Sequence, residues 1–215
     1  MNTNTTSVWR KKLKELEIVV VIPTYNNGKT LAAVIEEVYR YADDIIVIND
    51  GSTDDTANIL EQYPAIRTIT HPVNKGKGTA LKHGLSQAKK EGFRYAITID
   101  SDGQHFASDI PCFIEAIEKE PDTLLVGARN LASDNMPGKN TFANKFSNFW
   151  FRLETGLKLE DTQSGYRLYP LRKMDVQSCW YTAKYEFELE AIVFAAWGDV
   201  VVKNIPIHEI GRASC

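Results

Sequence analysis

The chain has 215 residues, of which 43% are hydrophobic and 25% charged, and its formal net charge at pH 7 is −3. A chain of this length forms one domain of ordinary size with a sizeable core. The charge balance gives no electrostatic reason to expect nucleic acid as a partner. Cys112, Cys179 and Cys215 form no CxxC pair, so neither a structural zinc site nor a disulfide framework is indicated, and free thiols in a reducing cytoplasm are expected.

The longest apolar runs, at 18–22 and 191–197, are far too short to span a membrane, and the polar first residues lack a signal-peptide core. We therefore expect a cytoplasmic protein. Lys11, Lys12 and Lys14 form a basic cluster that predicts a solvated N-terminal helix. Weak contact with the inner face of the membrane is the alternative that this cluster leaves open.

Short β-branched runs alternate with segments of helical spacing along most of the chain. Strands are predicted at 18–22, 45–48, 66–70, 95–99, 124–126 and 200–207, with Pro23 ending the first, and helices at 31–38, 53–63, 81–88, behind Pro111 and at 186–197. The short connections imply a largely parallel sheet covered on both faces. The predicted fold class is α/β, in a single domain.

The pattern changes at about residue 130. Residues 130–140 contain Pro137 and Gly138 among polar residues and are predicted to form a mobile loop. Residues 142–153 are predicted to form a helix rich in aromatic side chains. That helix is expected to belong to the core, with a groove or membrane-facing surface for a lipid as the alternative.

Three polar clusters, at 23–27, 49–52 and 100–104, each follow an apolar strand directly. Each alone is consistent with a turn, because Asn, Asp, Gly and Ser are common there. In an open parallel sheet, however, ligands bind beyond the carboxyl ends of the strands, so the fold gathers all three along one edge. Their coincidence favours a binding site.

The third cluster places the carboxylates of Asp100 and Asp102 one residue apart at a chain reversal. Mg²⁺ and Mn²⁺ bind through one or two carboxylates plus phosphate oxygens, so a divalent metal site is predicted here. Gln104 is either a further neutral ligand or a solvent-facing turn residue. The metal would stabilise a diphosphate as a leaving group.

Five motifs occur in order: IPTYN at 22–26, NDGSTD at 49–54, NKGKG at 74–78, DSDGQ at 100–104 and DTQSGYR at 161–167. Together they resemble family-two glycosyltransferases with the GT-A fold, a Rossmann-like three-layer sandwich with a mostly parallel central sheet. The last motif is similar to the D…SGFR segment of dolichol-phosphate mannose synthases and bacterial polyprenyl-phosphate glycosyltransferases. The resemblance covers roughly residues 18–207, and an ordered set of five motifs is highly specific.

The resemblance implies a catalytic domain at 18–210, preceded by an extension at 1–17 and followed by a tail at 211–215 that is natural, truncated or added by cloning. It implies an inverting, metal-dependent transfer of a sugar from a UDP- or GDP-linked donor to a polyprenyl-phosphate or saccharide acceptor, as in the synthesis of cell-envelope polysaccharides. A homodimer and peripheral contact with a membrane are left open.

The resemblance also assigns roles by position. The nucleoside pocket would be lined by Pro23, Tyr25 and Asn27, the base and ribose contacted by Ile48 and Asp50, the ribose and diphosphate faced by Asp100, Ser101 and Asp102, and the metal held by Asp100, Asp102 and Gln104. The family often has an acidic residue where Asn27 stands, which makes that contact less certain. An ionised carboxylate such as that of Asp50 readily accepts hydrogen bonds from a base N–H or from ribose hydroxyls.

Lys77 lies in a glycine-rich segment that fits neither the Walker A motif nor the dinucleotide fingerprint. Small residues at a helix start can nevertheless approach a nucleotide closely, with Lys77 as the nearby cation. A solvated lysine pair is the alternative. Arg129 matches an arginine of the polyprenyl-phosphate enzymes and is expected to hold a phosphate. A surface ion pair is the other interpretation for Arg129. For Arg167 the same two interpretations apply, a phosphate contact or a surface ion pair.

Asp161 bears on the mechanism. A hydroxyl acceptor gains from a general base, whereas an acceptor phosphate is already ionised near neutral pH and needs only positioning. Asp161 is the candidate base, and capping of the following turn is the alternative. His71, His83 and His208 show no metal-ligand spacing. His105 follows the predicted metal motif and is expected to be an exposed loop residue, with contact to phosphate or metal as the alternative.

Two other functions compete with sugar transfer. A sugar nucleotidyltransferase would normally show a glycine-rich N-terminal loop, but residues 23–29 contain a single glycine. A sugar-nucleotide-binding protein without turnover is the non-enzymatic alternative, and the intact Asp100 and Asp102 argue against it.

Overall fold

The structure is a computed structural model that describes residues 3–128, 159, 161–174 and 186–208. Its elements in chain order are α1 (Thr3–Glu15), β1 (Ile18–Thr24), α2 (Leu31–Tyr39), β2 (Ile45–Asn49), α3 (Thr56–Glu61), β3 (Arg67–Thr70), α4 (Lys77–Lys90), β4 (Tyr95–Thr98), a 3₁₀ turn (Ala107–Asp109), α5 (Ile110–Lys119), β5 (Leu124–Ala128), β6 (Arg167–Pro170), α6 (Glu186–Trp197) and β7 (Val202–Pro206). The predictions for Arg129, for the loop at 130–140 and for the helix at 142–153 lie outside the described residues.

Within the described residues, the strands form a seven-stranded sheet in the order β3-β2-β1-β4-β6-β5-β7. Strands β1 to β4 pair in parallel, as do β5 and β7, whereas β6 runs antiparallel to both β4 and β5. The sheet is therefore mostly parallel, as predicted. Because parallel strands end at the same edge, the segments that follow β1, β2 and β4 come together there.

Strand β6 was not predicted. It has four residues, RLYP, with a charged residue at its start and a proline at its end, so it shows neither alternation nor a β-branched run. All four residues are buried, and Arg167 itself is fully enclosed. The buried environment, and not the strand propensity of these residues, accounts for the element.

Two apolar layers cover the sheet, one on each face. Alternate residues of β1 point into different layers: Val20 and Ile22 pack with α2 and α5, and Val19 and Val21 pack with α4 and α6. Burying each such aliphatic side chain stabilises the fold by about 1.5–3 kcal/mol. The result is a three-layer α/β sandwich of the predicted class.

Helix α4 lies unusually close to the sheet because Gly84 has no side chain. A Cβ on Gly84 would lie 2.5 Å from Val21 Cγ1 and 2.6 Å from Ile48 Cδ1. This approach holds the start of α4 at the carboxyl edge of the sheet, so the helix delivers Lys77 to the place where the predicted polar clusters meet.

The first strand runs two residues further than predicted and includes Pro23. Val21 accepts a hydrogen bond from Ile99 on the β4 side, and alternate residues face the same side, so the missing N–H of Pro23 points beyond the end of β4. The proline therefore removes no ladder hydrogen bond.

Helices α1 and α3, in the first half of the chain, exist as predicted but differ from the prediction in exposure and in starting residue, respectively. Helix α3 begins at Thr56, not at 53, because Thr53 and Asp54 form hydrogen bonds with the loop after β1. Helix α1 exists as predicted, but one side is docked, with Leu13 only 2% exposed. None of the described helices is both long and apolar enough to cross a membrane.

Candidate functional site

A cavity of about 560 Å³ opens at the carboxyl ends of β1, β2 and β4. This volume lies within the usual range for small-ligand sites. The cavity is lined by the predicted residues Pro23, Tyr25, Asn27, Asp50, Lys77, Asp100, Ser101 and Asp102, by Thr24, Asn74 and Gly76, which belong to the predicted clusters and motifs but had no assigned role, and by Ala80, which was not predicted. Two groups of residues surround the cavity, of which only those named above line it: the β1–β2 rim (residues 23–28, 49–54 and 73–76) and the β4 rim (residues 100–104 with Lys77 and the adjoining Gly165 and Glu188).

Hydrogen bonds between loops interlock the β1–β2 rim. The N–H of Asn26 donates to Ser52 Oγ at 3.0 Å, and the N–H of Thr53 donates to Asn26 Oδ1 at 2.8 Å. Asn26 adopts a φ of 53°, in the left-handed region that asparagine tolerates better than most residues. The bonds hold the loop after β1 in place and leave Tyr25 45% exposed at the mouth of the cavity.

The Asp50 carboxylate organises the second part of this rim. Its Oδ1 accepts from Lys75 N–H at 3.0 Å and lies 2.6 Å from His71 Nδ1, and its Oδ2 accepts from Gly76 N–H at 2.8 Å. An ionised carboxylate offers about four acceptor positions. Asp50 therefore keeps one position, on Oδ2, that no described group uses and that a ligand could take.

Ser101 joins the two rims. Its hydroxyl donates to the carbonyl of Pro23 at 3.0 Å and accepts from Asn27 Nδ2 at 2.8 Å. Both partners are inside the protein, so Ser101 positions the rims and has no hydroxyl proton left for a ligand. The side chain of Ile48 is fully buried in the core beneath α4 and lies outside the set of lining residues.

An ion cluster forms the β4 rim. The Lys77 ammonium lies 2.7 Å from Oδ1 and 2.9 Å from Oδ2 of Asp100, and 3.1 Å from Glu188 Oε1. Burial lowers the pKa of Lys77, but the charges of Asp100 and Glu188 outweigh burial and hold it above its usual value. Burial likewise raises the pKa of Asp100, and Lys77 outweighs that effect and leaves it lowered.

The main chain at Gly165 packs directly against the ion pair of Asp100 and Lys77. A Cβ at this position would lie 2.5 Å from Asp100 Oδ2 and 2.8 Å from Lys77 Nζ. The carbonyl of Gly165 accepts from the Thr98 hydroxyl at 2.7 Å, which fixes its distance from β4. The glycine of the fifth motif is therefore explained by the close approach of the main chain to the ion pair.

The metal prediction can be compared with the chemistry of these side chains. Asp102 is exposed, its Oδ1 accepts from Gln104 N–H at 3.0 Å, and its Oδ2 has no described partner. One carboxylate with phosphate oxygens and water is sufficient for Mg²⁺ or Mn²⁺, so Asp102 fits. Both oxygens of Asp100 hold Lys77, so Asp100 fits only if that ion pair opens. Gln104 lies outside the lining residues.

Within the described residues, no three His, Cys, Asp or Glu side chains come together as a metal site. A cation at Asp102 would therefore draw most of its other ligands from water and from a bound phosphate, as Mg²⁺ commonly does.

Asp161 is fully buried and does not belong to the lining of the cavity. Its Oδ1 accepts from Gln163 N–H at 2.9 Å, and its carbonyl accepts from Asn204 Nδ2 at 3.1 Å. An Asp side chain bonded to the N–H two residues on caps a turn. The geometry of Asp161 therefore matches the alternative role, which is capping of the turn that follows it.

Neither expectation for Arg167 holds. The side chain is fully buried, and its guanidinium donates to the carbonyls of Ser164, Thr162 and Glu188. It thus holds the fifth motif against the start of α6 and cannot serve a phosphate in the cavity.

The sequence did not indicate the roles of His71 and Glu188 beside the site. His71 is 4% exposed, and its Nε2 lies 2.8 Å from Nδ1 of His83. Its position directly after β3 was the available signal, whereas Glu188 had none. The prediction of an exposed His105 was wrong, because His105 is 7% exposed and its ring centroid lies 5.3 Å from that of Tyr166.

Comparison with known proteins bears on the whole chain. The model for "Glycosyl transferase family 2" matches residues 19–176. The UDP-N-acetylglucosamine–dolichyl-phosphate N-acetylglucosaminyltransferase of Methanococcus voltae is 30% identical over 214 residues, covering 90% of this chain and 85% of the relative. The polyprenol monophosphomannose synthase of Mycolicibacterium smegmatis is 26% identical over 202 residues, covering 88% and 76% respectively.

Solved structures with a similar fold include glucosyl-3-phosphoglycerate synthase from Mycobacterium tuberculosis. Its complex with UDP superposes with a TM-score of 0.71 at 20% identity, covering 98% of this chain and 77% of the other. Its complex with Mn²⁺, UDP and glucosyl-3-phosphoglycerate gives a TM-score of 0.67 at 19% identity, covering 96% and 76%. At this identity the likeness establishes the GT-A fold.

Proposed function

Since the chain belongs to glycosyl transferase family 2, it is a glycosyltransferase, and we propose that its donor is a UDP- or GDP-linked sugar bound between the β1–β2 rim and the β4 rim. The observation that carries the proposal is the cavity itself, which brings the ends of β1, β2 and β4 together around ligand-accessible polar groups. The name of the M. voltae relative includes a UDP-linked sugar, and the M. tuberculosis enzyme has been crystallised with UDP.

The donor's nucleoside is assigned to the β1–β2 rim. The exposed Tyr25 offers a ring face to the base, with Pro23 and Asn27 beside it. The unused position on Asp50 Oδ2 accepts a ribose hydroxyl or a base N–H. Ile48, with its buried side chain, contributes to this subsite by supporting β2 and α4.

The donor's diphosphate is assigned to the β4 rim. Mg²⁺ or Mn²⁺ held by Asp102 would supply positive charge to the departing nucleotide, and the M. tuberculosis enzyme has been crystallised with Mn²⁺. Lys77 is the second cation within the lining. Its ammonium is held by Asp100 and Glu188 when the site is empty, so it contacts a phosphate only after one of these ion pairs opens.

The acceptor we propose is a polyprenyl phosphate, whose phosphate oxygen attacks the anomeric carbon of the donor sugar from the face opposite the departing nucleoside diphosphate, so that the configuration is inverted. The burial of Asp161 supports this choice, because no described carboxylate other than Asp50, Asp100 and Asp102 lines the cavity to act as a base. A phosphate acceptor is already ionised and needs none. Arg129 remains the predicted partner of a phosphate in this step.

The test is calorimetric binding of a panel of UDP- and GDP-sugars with and without Mn²⁺, followed by product analysis with a polyprenyl phosphate and with a saccharide acceptor. We expect binding of one nucleotide series that strengthens with Mn²⁺, and transfer to the lipid phosphate. Absence of binding by every member of the panel would remove the donor assignment, and transfer to the saccharide alone would overturn the acceptor.

Comparison of wild type with Asp161→Asn separates the two roles of that residue. A turn cap retained by the amide oxygen leaves transfer per folded molecule unchanged, whereas loss of a general base lowers it by about 10²–10⁴-fold.

A further inference from the structure

Three titratable side chains form a chain from the cavity wall to the protein surface. Asp50 Oδ1 lies 2.6 Å from His71 Nδ1, and His71 Nε2 lies 2.8 Å from His83 Nδ1. The side chains of Asp50 and His71 are each 3% exposed, whereas His83 lies on the outer side of α4 and is exposed. Neither histidine lines the cavity, so neither has a role through direct contact with the donor.

Hydrogen bonding determines which nitrogens carry protons. An ionised carboxylate only accepts, so Nδ1 of His71 must carry a proton that it donates to Asp50. In a neutral ring Nε2 then accepts, and the proton between the two rings belongs to Nδ1 of His83. Burial, followed by the charges of His71, Lys75 and Lys90, lowers the pKa of His83 against the opposing effect of Asp50, which favours its neutral form.

What Asp50 holds is the entry to α4. Its carboxylate binds the N–H groups of Lys75 and Gly76, and Gly76 adopts a φ of 94° immediately before the helix begins at Lys77. A rotation of the carboxylate would break its hydrogen bonds to both N–H groups. The main chain at Lys75 and Gly76 could then reorient, and Lys77 would no longer be directed towards Asp100.

Gly51 limits how the loop can respond. A Cβ on Gly51 would lie 2.4 Å from the carbonyl carbon of Val73, so the loop is already in close contact with the chain after β2. The loop after β3 therefore has no room to move closer to Gly51, and its hydrogen bonds to the Asp50 carboxylate, which His71 also contacts, keep it from moving away.

We propose that His71 is a positioning residue for the nucleotide pocket: it donates through Nδ1 to Asp50 and thereby fixes the Lys75–Gly76 main chain and the unused acceptor position on Asp50. The inference rests on the proposed donor site for its ligand, and on the hydrogen-bonded chain for its mechanism. His83 acts one step further out, by donating to His71 Nε2 and so selecting the His71 tautomer that Asp50 requires.

Two substitutions of His71 separate hydrogen bonding from packing. In His71→Asn the amide nitrogen stands near the place of Nδ1 and still donates to Asp50, whereas His71→Leu fills part of the volume and donates nothing. With UDP and GDP plus Mn²⁺ as calorimetric probes, we expect His71→Leu to weaken binding on the order of tenfold and His71→Asn to stay within about threefold. In turnover, the donor KM rises in His71→Leu by more than kcat falls.

His208→Leu is the matched control. His208 Nδ1 lies 2.7 Å from Asp109 Oδ1, a contact of nearly the same length made by an exposed histidine outside the cavity lining. We expect this variant to bind the probes like wild type. Equal binding by wild type, His71→Asn and His71→Leu would overturn the inference.

Nitrogen NMR of the imidazole rings tests the mechanism without any nucleotide. The expected signature is protonated Nδ1 on both His71 and His83, with the Lys75 and Gly76 amide signals displaced in His71→Leu and unmoved in His208→Leu. An unprotonated Nδ1 on His71 would overturn the inference even if His71→Leu failed to fold. If wild type bound no nucleotide, the donor proposal would fail while these spectra still decided the role of His71.

Discussion

The β1–β2 rim and the β4 rim both depend on aspartates, but those aspartates have different partners. In the β1–β2 rim, Asp50 and Asp54 accept hydrogen bonds from main-chain N–H groups, at 2.8 Å for Gly76 and 2.9 Å for Gly28. In the β4 rim, both oxygens of Asp100 face the ammonium of Lys77. One wall is fixed by directional bonds to the backbone, and the other by ion pairs between side-chain ends.

This difference has a physical consequence for ligand binding. Bonds to main-chain groups can be replaced only if a loop moves, so the nucleoside subsite is formed before the donor arrives. An ion pair at the end of a long lysine can exchange partners when another charge approaches, and its strength falls with salt. We therefore expect the β1–β2 rim to determine which base binds, and the β4 rim to respond to metal and phosphate.

The largest expected effect is on catalysis at the β4 rim. Asp102→Asn removes the carboxylate that fits a divalent cation, and we expect metal-dependent transfer to fall by about 10²–10³-fold. The unfolding midpoint should not change, because Asp102 is exposed and its only described hydrogen bond is to Gln104 N–H.

Steady-state kinetics over a Mn²⁺ titration, together with thermal unfolding, provide the measurement for Asp102→Asn. Asp43→Asn is the control, since that aspartate is 60% exposed and pairs with Arg10 far from the cavity. Retention of transfer within about threefold of wild type would place the metal elsewhere.

The next effect is on stability at the β1–β2 rim. Gly51→Ala combines a φ of 72° with a Cβ only 2.4 Å from main-chain carbon, and we expect about 2–4 kcal/mol of destabilisation. Gly92→Ala isolates the strain, because Gly92 has a φ of 90° and nothing lies within 4 Å of its Cβ position. Urea unfolding should show about 1–2 kcal/mol there. If the two variants were destabilised equally, the loop after β3 would move aside for the added Cβ at little cost in free energy.

A smaller effect is expected when the ion cluster loses its cation. Lys77→Met leaves Asp100 and Glu188 facing each other across a partly buried space, and we expect about 1.5–3 kcal/mol of destabilisation near neutral pH. The wild-type pair also sets a pH dependence. The lowered pKa of Asp100 contributes stability above the ordinary value of 3.8, which is lost only as the pH falls through the lowered value.

In Lys77→Met, the burial of Asp100 is no longer outweighed, so its pKa is raised and its ionisation destabilises the folded variant as the pH rises through that raised value. Urea unfolding between about pH 3 and pH 8 checks whether the variant regains stability relative to wild type as the pH is lowered. At the alkaline end, the contribution of Lys77 in wild type is complete below 10.5 and is lost as the pH rises through its raised value. Coincident curves for the two proteins would show that the ion cluster does not stabilise the fold.

The contrast between the rims also explains what could be predicted from the sequence. The β1–β2 rim follows strands with clear apolar runs, so the positions of residues 23–27 and 49–52 at one edge could be predicted. What could not be predicted was the use of Asp50, because its partners at His71, Lys75 and Gly76 depend on how the loop after β3 folds back.

The β4 rim was less accessible to sequence patterns. Glu188 reaches Lys77 only because the unpredicted strand β6 lies between β4 and β5 and carries Arg167, which binds the start of α6. A four-residue strand that begins with a buried arginine has no local signature, since its stability comes from carbonyl partners distant in the chain. The pairing of Asp100 with Lys77, in place of a metal ligand set, follows from that same tertiary arrangement.

The smallest predicted effect tests the residue that joins the two rims. Ser101→Ala removes the bond to the Pro23 carbonyl and the acceptor for Asn27, while the main chain of Ser101 still binds the Thr30 hydroxyl at 2.7 Å. We expect about 1 kcal/mol of destabilisation and a few-fold higher donor KM at unchanged kcat. If the rims were independent, the variant would alter Asn27 alone and leave Mn²⁺ affinity untouched. Because Ser101 lies between Asp100 and Asp102, the variant should weaken both nucleotide and Mn²⁺ binding if the two rims are coupled. Calorimetry of each ligand in the presence of the other measures this coupling.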